Sequence, residues 1–157
     1  MKMPLLPHRL KLPGLVLFIA SGVIGLAQIV SGYELPALQC SVFSLVNSEF
    51  LGKTSYFSWT QTNITATLLG VLFIVGGMMA GLSEEKEEDE YTQTLRLSAM
   101  TWAVWINYGI LLLAFLLVYG LDFLSVMVYN MFTILLFFNL RYYYLLYLAK
   151  HPKNHDE

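Results

Sequence analysis

The stretch LSAMTWAVWINYGILLLAFLLVYGLDFLSVMVYNMFTILLFFNL, residues 97–140, decides the fold. It carries one charged side chain, Asp122, and a helix needs about 20 apolar residues to cross a hydrocarbon core. Spans are predicted at residues 97–119 and 123–145, because a helix pairs its backbone groups within one segment. The short connector around Gly120, which suits a left-handed helix end, predicts an antiparallel hairpin.

Two further apolar stretches, residues 13–33 and 64–82, predict two more spans. The first could instead be a signal peptide, but it exceeds the usual apolar run of about 7–15 residues, which favours a retained helix. Apolar residues make up 57% of the chain and charged residues 13%, which is typical of a membrane protein. We predict one transmembrane domain over residues 1–157, with an acidic loop at residues 83–96.

The basic residues predict the orientation of the chain. Four spans place both termini and the acidic loop on one side of the membrane. Of the nine Lys and Arg residues, only Lys53 falls on the other side. The shared side holds Lys2, Arg9, Lys11, Lys86, Arg96, Arg141, Lys150 and Lys153. The positive-inside rule therefore puts both termini in the cytoplasm. We expect a multi-pass protein of the bacterial cytoplasmic (inner) membrane.

The connection between the first two spans, residues 34–63, contains a second apolar pattern. Apolar residues recur there at helical spacing, with Pro36 suited to a helix start and Gly52 to a helix end. The predicted fold class is therefore all-α: an integral membrane four-helix bundle with a short extracytoplasmic interfacial helix between helices 1 and 2. Tyr56, Phe57 and Trp59 then join an outer aromatic belt.

Small and polar side chains indicate how the helices pack. Helices in lipid associate through small residues, so Ser21, Gly25, Gly77 and Gly81 are the predicted packing positions, either between the first two helices or between copies of the chain. One residue offset from the Gly77 pattern, Gly76 and Ala80 form a second small-residue pair for the same approach. Asn107 should lie level with Thr133, and Asn139 level with Thr101. The intramembrane polar residues are Gln28, Asn107, Asn130 and Asn139. We interpret them as interhelical hydrogen-bonding groups, with a small ligand cavity as the alternative.

Two charged clusters are candidate contact sites. The first comprises Arg141, Tyr142, Tyr143 and Tyr144 at the inner end of the fourth helix. It is interpreted as an aromatic belt with a snorkelling arginine, or else as a headgroup site for lipid or quinone. The second cluster is a solvated start of the third helix or a contact for a cytoplasmic protein partner. Its acidic residues are Glu84, Glu85, Glu87, Glu88, Asp89 and Glu90.

The sequence favours no catalytic, cofactor or metal site. The middle of each span lacks Asp, Glu, Lys, Arg and His, which proton relays and ion-coupled transporters usually need. His8, His151 and His155 lie outside the spans, and the single cysteine, Cys40, cannot form an internal disulfide. The net charge of −2 implies no attraction to nucleic acid.

Residues 89–148, with Asp89-Glu90 before a polar segment and two tightly joined apolar helices, resemble uncharacterised bacterial membrane proteins. Those proteins are often encoded beside small helix-turn-helix regulators, and the resemblance implies no catalytic residue. The preferred hypothesis is a non-enzymatic accessory or regulatory protein that contacts a partner through its acidic segment. The alternatives are a homo-oligomeric channel or transporter for a small solute, and a membrane enzyme with a lipid site.

Overall fold

The protein is described by a computed structural model that covers residues 5–31, 38–48, 54–120 and 122–150. A 3-10 turn, His8–Leu10, leads into helix α1, Lys11–Ser31, and the later helices are α2, Thr65–Leu82, α3, Glu90–Leu117, and α4, Asp122–Lys150. All four helices are long and apolar enough to cross a membrane. The mostly helical, four-helix prediction is confirmed to that extent. At most 22% of each apolar stretch is buried inside the protein, so most of its apolar surface faces outward.

The interfacial helix is a wrong prediction. Strands β1, Gln39–Ser48, and β2, Thr54–Asn63, form an antiparallel hairpin instead, so the fold is not all-α. The second strand consists of Thr, Ser, Asn, Gln and aromatic residues, and Thr and aromatic side chains favour strands. Phe43 lies opposite Trp59 with ring centroids 5.6 Å apart, a cross-strand aromatic pair that stabilises the ladder. Pro36 and Gly52, the predicted start and end of that helix, lie outside the described residues.

The chain divides into two compact units, residues 20–72 and residues 1–19 with 73–157. The first unit contains the hairpin. Ile64 alone separates β2 from α2, and its backbone N–H donates to the carbonyl of Leu38 across the base of the hairpin. Tyr56, Phe57 and Trp59, the predicted belt residues, are exposed on the hairpin.

The second unit packs the start of α1 and the end of α2 with α3 and α4. The α3 residues that are buried recur at helical spacing, and they include Ala99, Ala103 and Ala114. Ala99 and Ala103 pack with Phe138 and Tyr142 of α4 to form the core cluster. Gly120 has a φ of 81°, the left-handed conformation predicted for the end of this hairpin.

Two glycines bring α1 and α2 into backbone contact. A Cβ at Gly14 would lie 2.4 Å from Cβ of Met79, and a Cβ at Gly76 would lie 2.6 Å from the backbone nitrogen of Phe18. The close approach of the two helices at Gly76 was predicted from the Gly76-x-x-x-Ala80 pattern, whereas Gly14 was not among the predicted packing residues. Of those, Gly77 and Gly81 face Phe18 and Phe138, respectively.

The other two predicted packing positions, Ser21 and Gly25, lie in the part of α1 that belongs to the first unit, residues 20–72. Ser21 is buried. A Cβ at Gly25 would have no described heavy atom within 4 Å, so Gly25 makes no tight contact within the described part of the chain.

Candidate functional site

The acidic segment, residues 84–90, is fixed by backbone hydrogen bonds to the N-terminal residues. The backbone N–H of Leu6 donates to the carbonyl of Leu82 at 2.9 Å, and the N–H of Glu84 donates to the carbonyl of Leu6 at 2.9 Å. These bonds form a short parallel bridge between Leu6 and Ser83. Nδ1 of His8 also lies 2.8 Å from the carbonyl oxygen of Glu84. The turn between α2 and α3 therefore has a defined conformation without regular secondary structure.

Arg96 is the best-connected side chain of the described residues at this end of the helices. It lies in α3 and is 2% exposed, whereas the sequence prediction placed it in a loop over residues 83–96. Its guanidinium donates to Oε1 of Glu88 at 2.8 Å and to the carbonyl of Ser83 at 3.0 Å. A further bond, 3.0 Å long, reaches the hydroxyl of Tyr142 in α4.

A second ion pair joins this cluster through Tyr142. The buried Tyr142 hydroxyl donates to Oε1 of Glu85 at 2.9 Å, and Nζ of Lys11 donates to the same carboxylate. We refer to the whole set as the Arg96 network, which consists of Lys11, Ser83, Glu85, Glu88, Arg96 and Tyr142. Its two cations match its two carboxylates, so the cluster compensates its own charge.

Burial and hydrogen bonds act in opposite directions on Glu85. Burial disfavours its charged form, but hydrogen bonds from Lys11 and Tyr142 prevail and hold the pKa of Glu85 below its ordinary value of 4.5. The carboxylate therefore stays ionised at neutral pH. The network fixes the start of α1, the acidic segment, α3 and α4 to one another.

Asp89 begins α3. Its side chain accepts hydrogen bonds from the backbone N–H of Thr92 at 2.7 Å and from the Thr92 hydroxyl at 2.6 Å. These bonds lower the pKa of Asp89. The predicted helix start near the acidic run is confirmed, because α3 begins at Glu90 with Asp89 as its N-cap.

The six acidic residues proposed as a partner contact fall into two groups. Glu85 and Glu88 belong to the Arg96 network. The remaining four, Glu84, Glu87, Asp89 and Glu90, are exposed. The acidic segment thus presents four carboxylates to solvent, while Glu85 and Glu88 hold its backbone in place.

The residues predicted for a headgroup site also separate. Tyr142 belongs to the Arg96 network, and the Tyr143 hydroxyl donates to the carbonyl of Ala80 at 3.1 Å. Of the three predicted tyrosines, Tyr144 is the one that lies near Arg141. The Arg141 guanidinium is 5.8 Å from the centroid of the Tyr144 ring. It also lies 5.2 Å from the ring centroid of Trp102, a contact that the sequence analysis did not predict.

The four amides predicted to lie within the membrane occupy three separate places. Asn107 of α3 accepts from the Thr133 hydroxyl at 2.6 Å, which confirms that they lie level, and it exchanges hydrogen bonds with Asn130. Asn139, which was predicted to lie level with Thr101, faces a different helix. It donates to the carbonyl of Gly77 in α2 at 3.1 Å. Gln28 is half-buried in α1.

Neither a metal site nor a known relative points to chemistry. Within the described part of the chain, no three His, Cys, Asp or Glu side chains lie close enough together to hold a metal ion. Comparison with protein families, characterised proteins and solved structures finds no match for this sequence. The function is therefore argued from the geometry alone.

Proposed function

We propose that this protein is a multi-pass component of a bacterial cytoplasmic membrane, with both termini in the cytoplasm. Four helices of suitable length and hydropathy support the membrane location. The Lys and Arg distribution supports the orientation, because the hairpin side holds only Lys53. In this topology the Arg96 network lies at the cytoplasmic ends of the helices, and the β-hairpin lies outside.

Within the membrane, the protein acts as a non-enzymatic accessory or regulatory subunit. The observation that carries this proposal is the division of the acidic segment between inward and outward carboxylates. Arg96 and Lys11 neutralise Glu88 and Glu85, so these two hold the backbone without adding to the exposed charge. Glu84, Glu87 and Glu90 remain exposed for a basic surface of a cytoplasmic partner.

The polar groups inside the helices support this proposal over a channel or transporter. The hydrogen bonds among Asn107, Asn130 and Thr133 connect α3 directly to α4. These side chains would have to exchange their partners in order to line a solute path. Their arrangement is that of interhelical hydrogen bonds, which contribute about 0.6 kcal/mol each on average.

The single cysteine provides a test of the topology. Cys40 lies in β1 and is partly exposed, so a membrane-impermeant maleimide should label it in intact cells from which any outer barrier has been removed. The matched control is Cys40→Ser combined with Lys86→Cys, which moves the thiol to an exposed position in the acidic segment. That variant should be labelled only after the membrane is permeabilised. The reverse labelling pattern would contradict the proposed orientation.

The partner contact is tested by neutralising the exposed carboxylates. Combined Glu84→Gln, Glu87→Gln and Glu90→Gln substitutions should leave the protein in the membrane fraction, because the Arg96 network is unchanged. Affinity purification after crosslinking in native membranes should then lose a cytoplasmic protein that the wild-type chain retains. Lys86→Gln, which removes a basic residue from the same segment, should retain that protein. An identical set of retained proteins for wild type and the triple variant would refute the proposal.

A further inference from the structure

A groove on α3 lies near Arg141, a cation that has no carboxylate partner among the described residues. Its volume is about 460 Å³ and it is open to the outside. It is lined by Thr94, Leu97, Ser98, Thr101, Trp102 and Trp105. Trp105 is 76% exposed and Leu97 54%, so the apolar part of the groove is uncovered within the described part of the chain.

Arg141 of α4 does not itself line this groove, but it contacts one of the lining residues, Trp102. Its guanidinium lies over the Trp102 ring on one side and near the Tyr144 ring on the other. Its Nε is buried and has no hydrogen-bond partner among the described residues. The ion pairs of the described residues involve Lys11 and Arg96, so the charge of Arg141 is not compensated by a carboxylate there.

Stacking on aromatic rings leaves the edge of a guanidinium available. Its N–H groups lie in the plane of the group, and they match the geometry of phosphate oxygens. Ser98 lies one helical turn before Trp102 on the same side of α3. The hydroxyls of Thr94 and Thr101 donate to carbonyls of their own helix, whereas that of Ser98 makes no hydrogen bond to a described residue. Arg141 and Ser98 thus supply donors for an anion.

The groove continues from these donors toward Trp105, which is further along α3. In the proposed topology this direction leads from the cytoplasmic headgroup region into the hydrocarbon core. An occupant must therefore be anionic at one end and apolar at the other. The matching molecule is a phospholipid of the inner leaflet.

We propose that Arg141, Ser98 and the groove on α3 bind an anionic phospholipid, with its phosphate at Arg141 and an acyl chain along Trp102 and Trp105. The net negative charge of an anionic lipid compensates the positive charge of Arg141. A zwitterionic lipid compensates it less well, because its headgroup also carries a cation. The site rests on the proposed membrane location but not on the protein partner of the acidic segment. Failure of lipid binding would leave the Cys40 labelling result unchanged.

The test uses the full chain in a mild detergent, titrated separately with dioleoylphosphatidylglycerol, dioleoylphosphatidylcholine and inorganic phosphate. Native mass spectrometry counts retained lipids, and the thermal midpoint reports stabilisation. Phosphatidylglycerol should be retained and should raise the midpoint more than phosphatidylcholine does. Arg141→Gln should weaken its binding by about tenfold, the loss expected for one charge-assisted contact.

Two further variants separate the charge from the groove. Ser98→Leu places bulk in the groove while keeping the charge, and it should also weaken phosphatidylglycerol binding. Lys150→Gln removes an exposed cation from the end of the same helix and should leave binding unchanged. Equal binding of the two lipids, equal losses in Arg141→Gln and Lys150→Gln, or the same stabilisation by inorganic phosphate alone would overturn the proposal.

Discussion

Replacement of Arg96 by leucine is expected to lower the free energy of unfolding by roughly 3–5 kcal/mol, because it removes one partner from a buried ion pair. Arg96 is 2% exposed, and its loss leaves the carboxylate of Glu88 without its partner. The carbonyl of Ser83 and the hydroxyl of Tyr142 lose a donor at the same time. The measurement is the fraction of monodisperse protein that survives heating in detergent.

The loss should be specific to the unpaired charge. Adding Glu88→Gln to Arg96→Leu should recover part of the stability, since the amide needs no cation. Arg96→Lys should restore little, because an ammonium cannot reproduce the fork that reaches Glu88, Ser83 and Tyr142 together. Lys86→Leu serves as the exposed control from the same segment. If Arg96→Leu were as stable as this control, the Arg96 network would not support the fold.

Gly76→Ala should destabilise the protein by about 1–3 kcal/mol, even though alanine favours a helix more than glycine does. The new Cβ would lie 2.6 Å from the backbone nitrogen of Phe18 and 3.0 Å from the carbonyl oxygen of Gly14. Both neighbours are backbone atoms, so relief of the overlap requires α1 and α2 to separate. Thermal stability in detergent provides the measurement.

Two other glycines give an internal comparison. Gly109→Ala in α3 meets no described atom within 4 Å, so it should leave stability unchanged or slightly raised. Gly81→Ala would place its Cβ 2.3 Å from the ring of Phe138, which is a side chain and can shift. Its effect should therefore lie between the other two. Equal stabilities for Gly76→Ala and Gly109→Ala would show that the close approach of α1 and α2 is not a constraint.

The helical part of the fold could be predicted because uncharged runs of sufficient length have few alternatives in lipid. The tight connection at Gly120 set the depth of α3 against α4, and this is why Asn107 could be placed level with Thr133. The same argument gave Asn139 only a depth, level with Thr101, because the hairpin alone does not show which other helix lies beside it. The structure turns Asn139 toward Gly77 of α2.

The hairpin was missed because the apolar residues of β1 also fit the spacing of a helix. Leu38 and Val42 match a helical spacing, whereas in the structure exposure alternates along the strand, with Ser41 and Phe43 exposed and Val42 half-buried. What decides between them is the pairing with residues 54–63, and a pattern within residues 38–50 contains no information about that partner. The Thr-rich and aromatic composition of β2 was the available signal.

Arg96 was missed for a different reason, because it was counted only as a charge that sets orientation. The signal was its position on the α3 face that also carries Ala99 and Ala103, small residues in a helix with many bulky ones. Its partners lie as far away in the chain as Tyr142, so spacing alone could not reveal them. Gly14 was overlooked likewise, since its contact with Met79 depends on the offset between two helices.

The Arg96 network joins residues that a ribosome produces at very different times. Lys11, Ser83 and Glu85 exist as soon as the first half of the chain has been made, but the hydroxyl that connects Glu85 to Arg96 comes from Tyr142. Until the last helix emerges, the nascent chain must hold a charged cluster that lacks its bridging member. The cluster is therefore complete only when α4 has docked, and a chain truncated before Tyr142 would lack the hydroxyl that joins its two ion pairs.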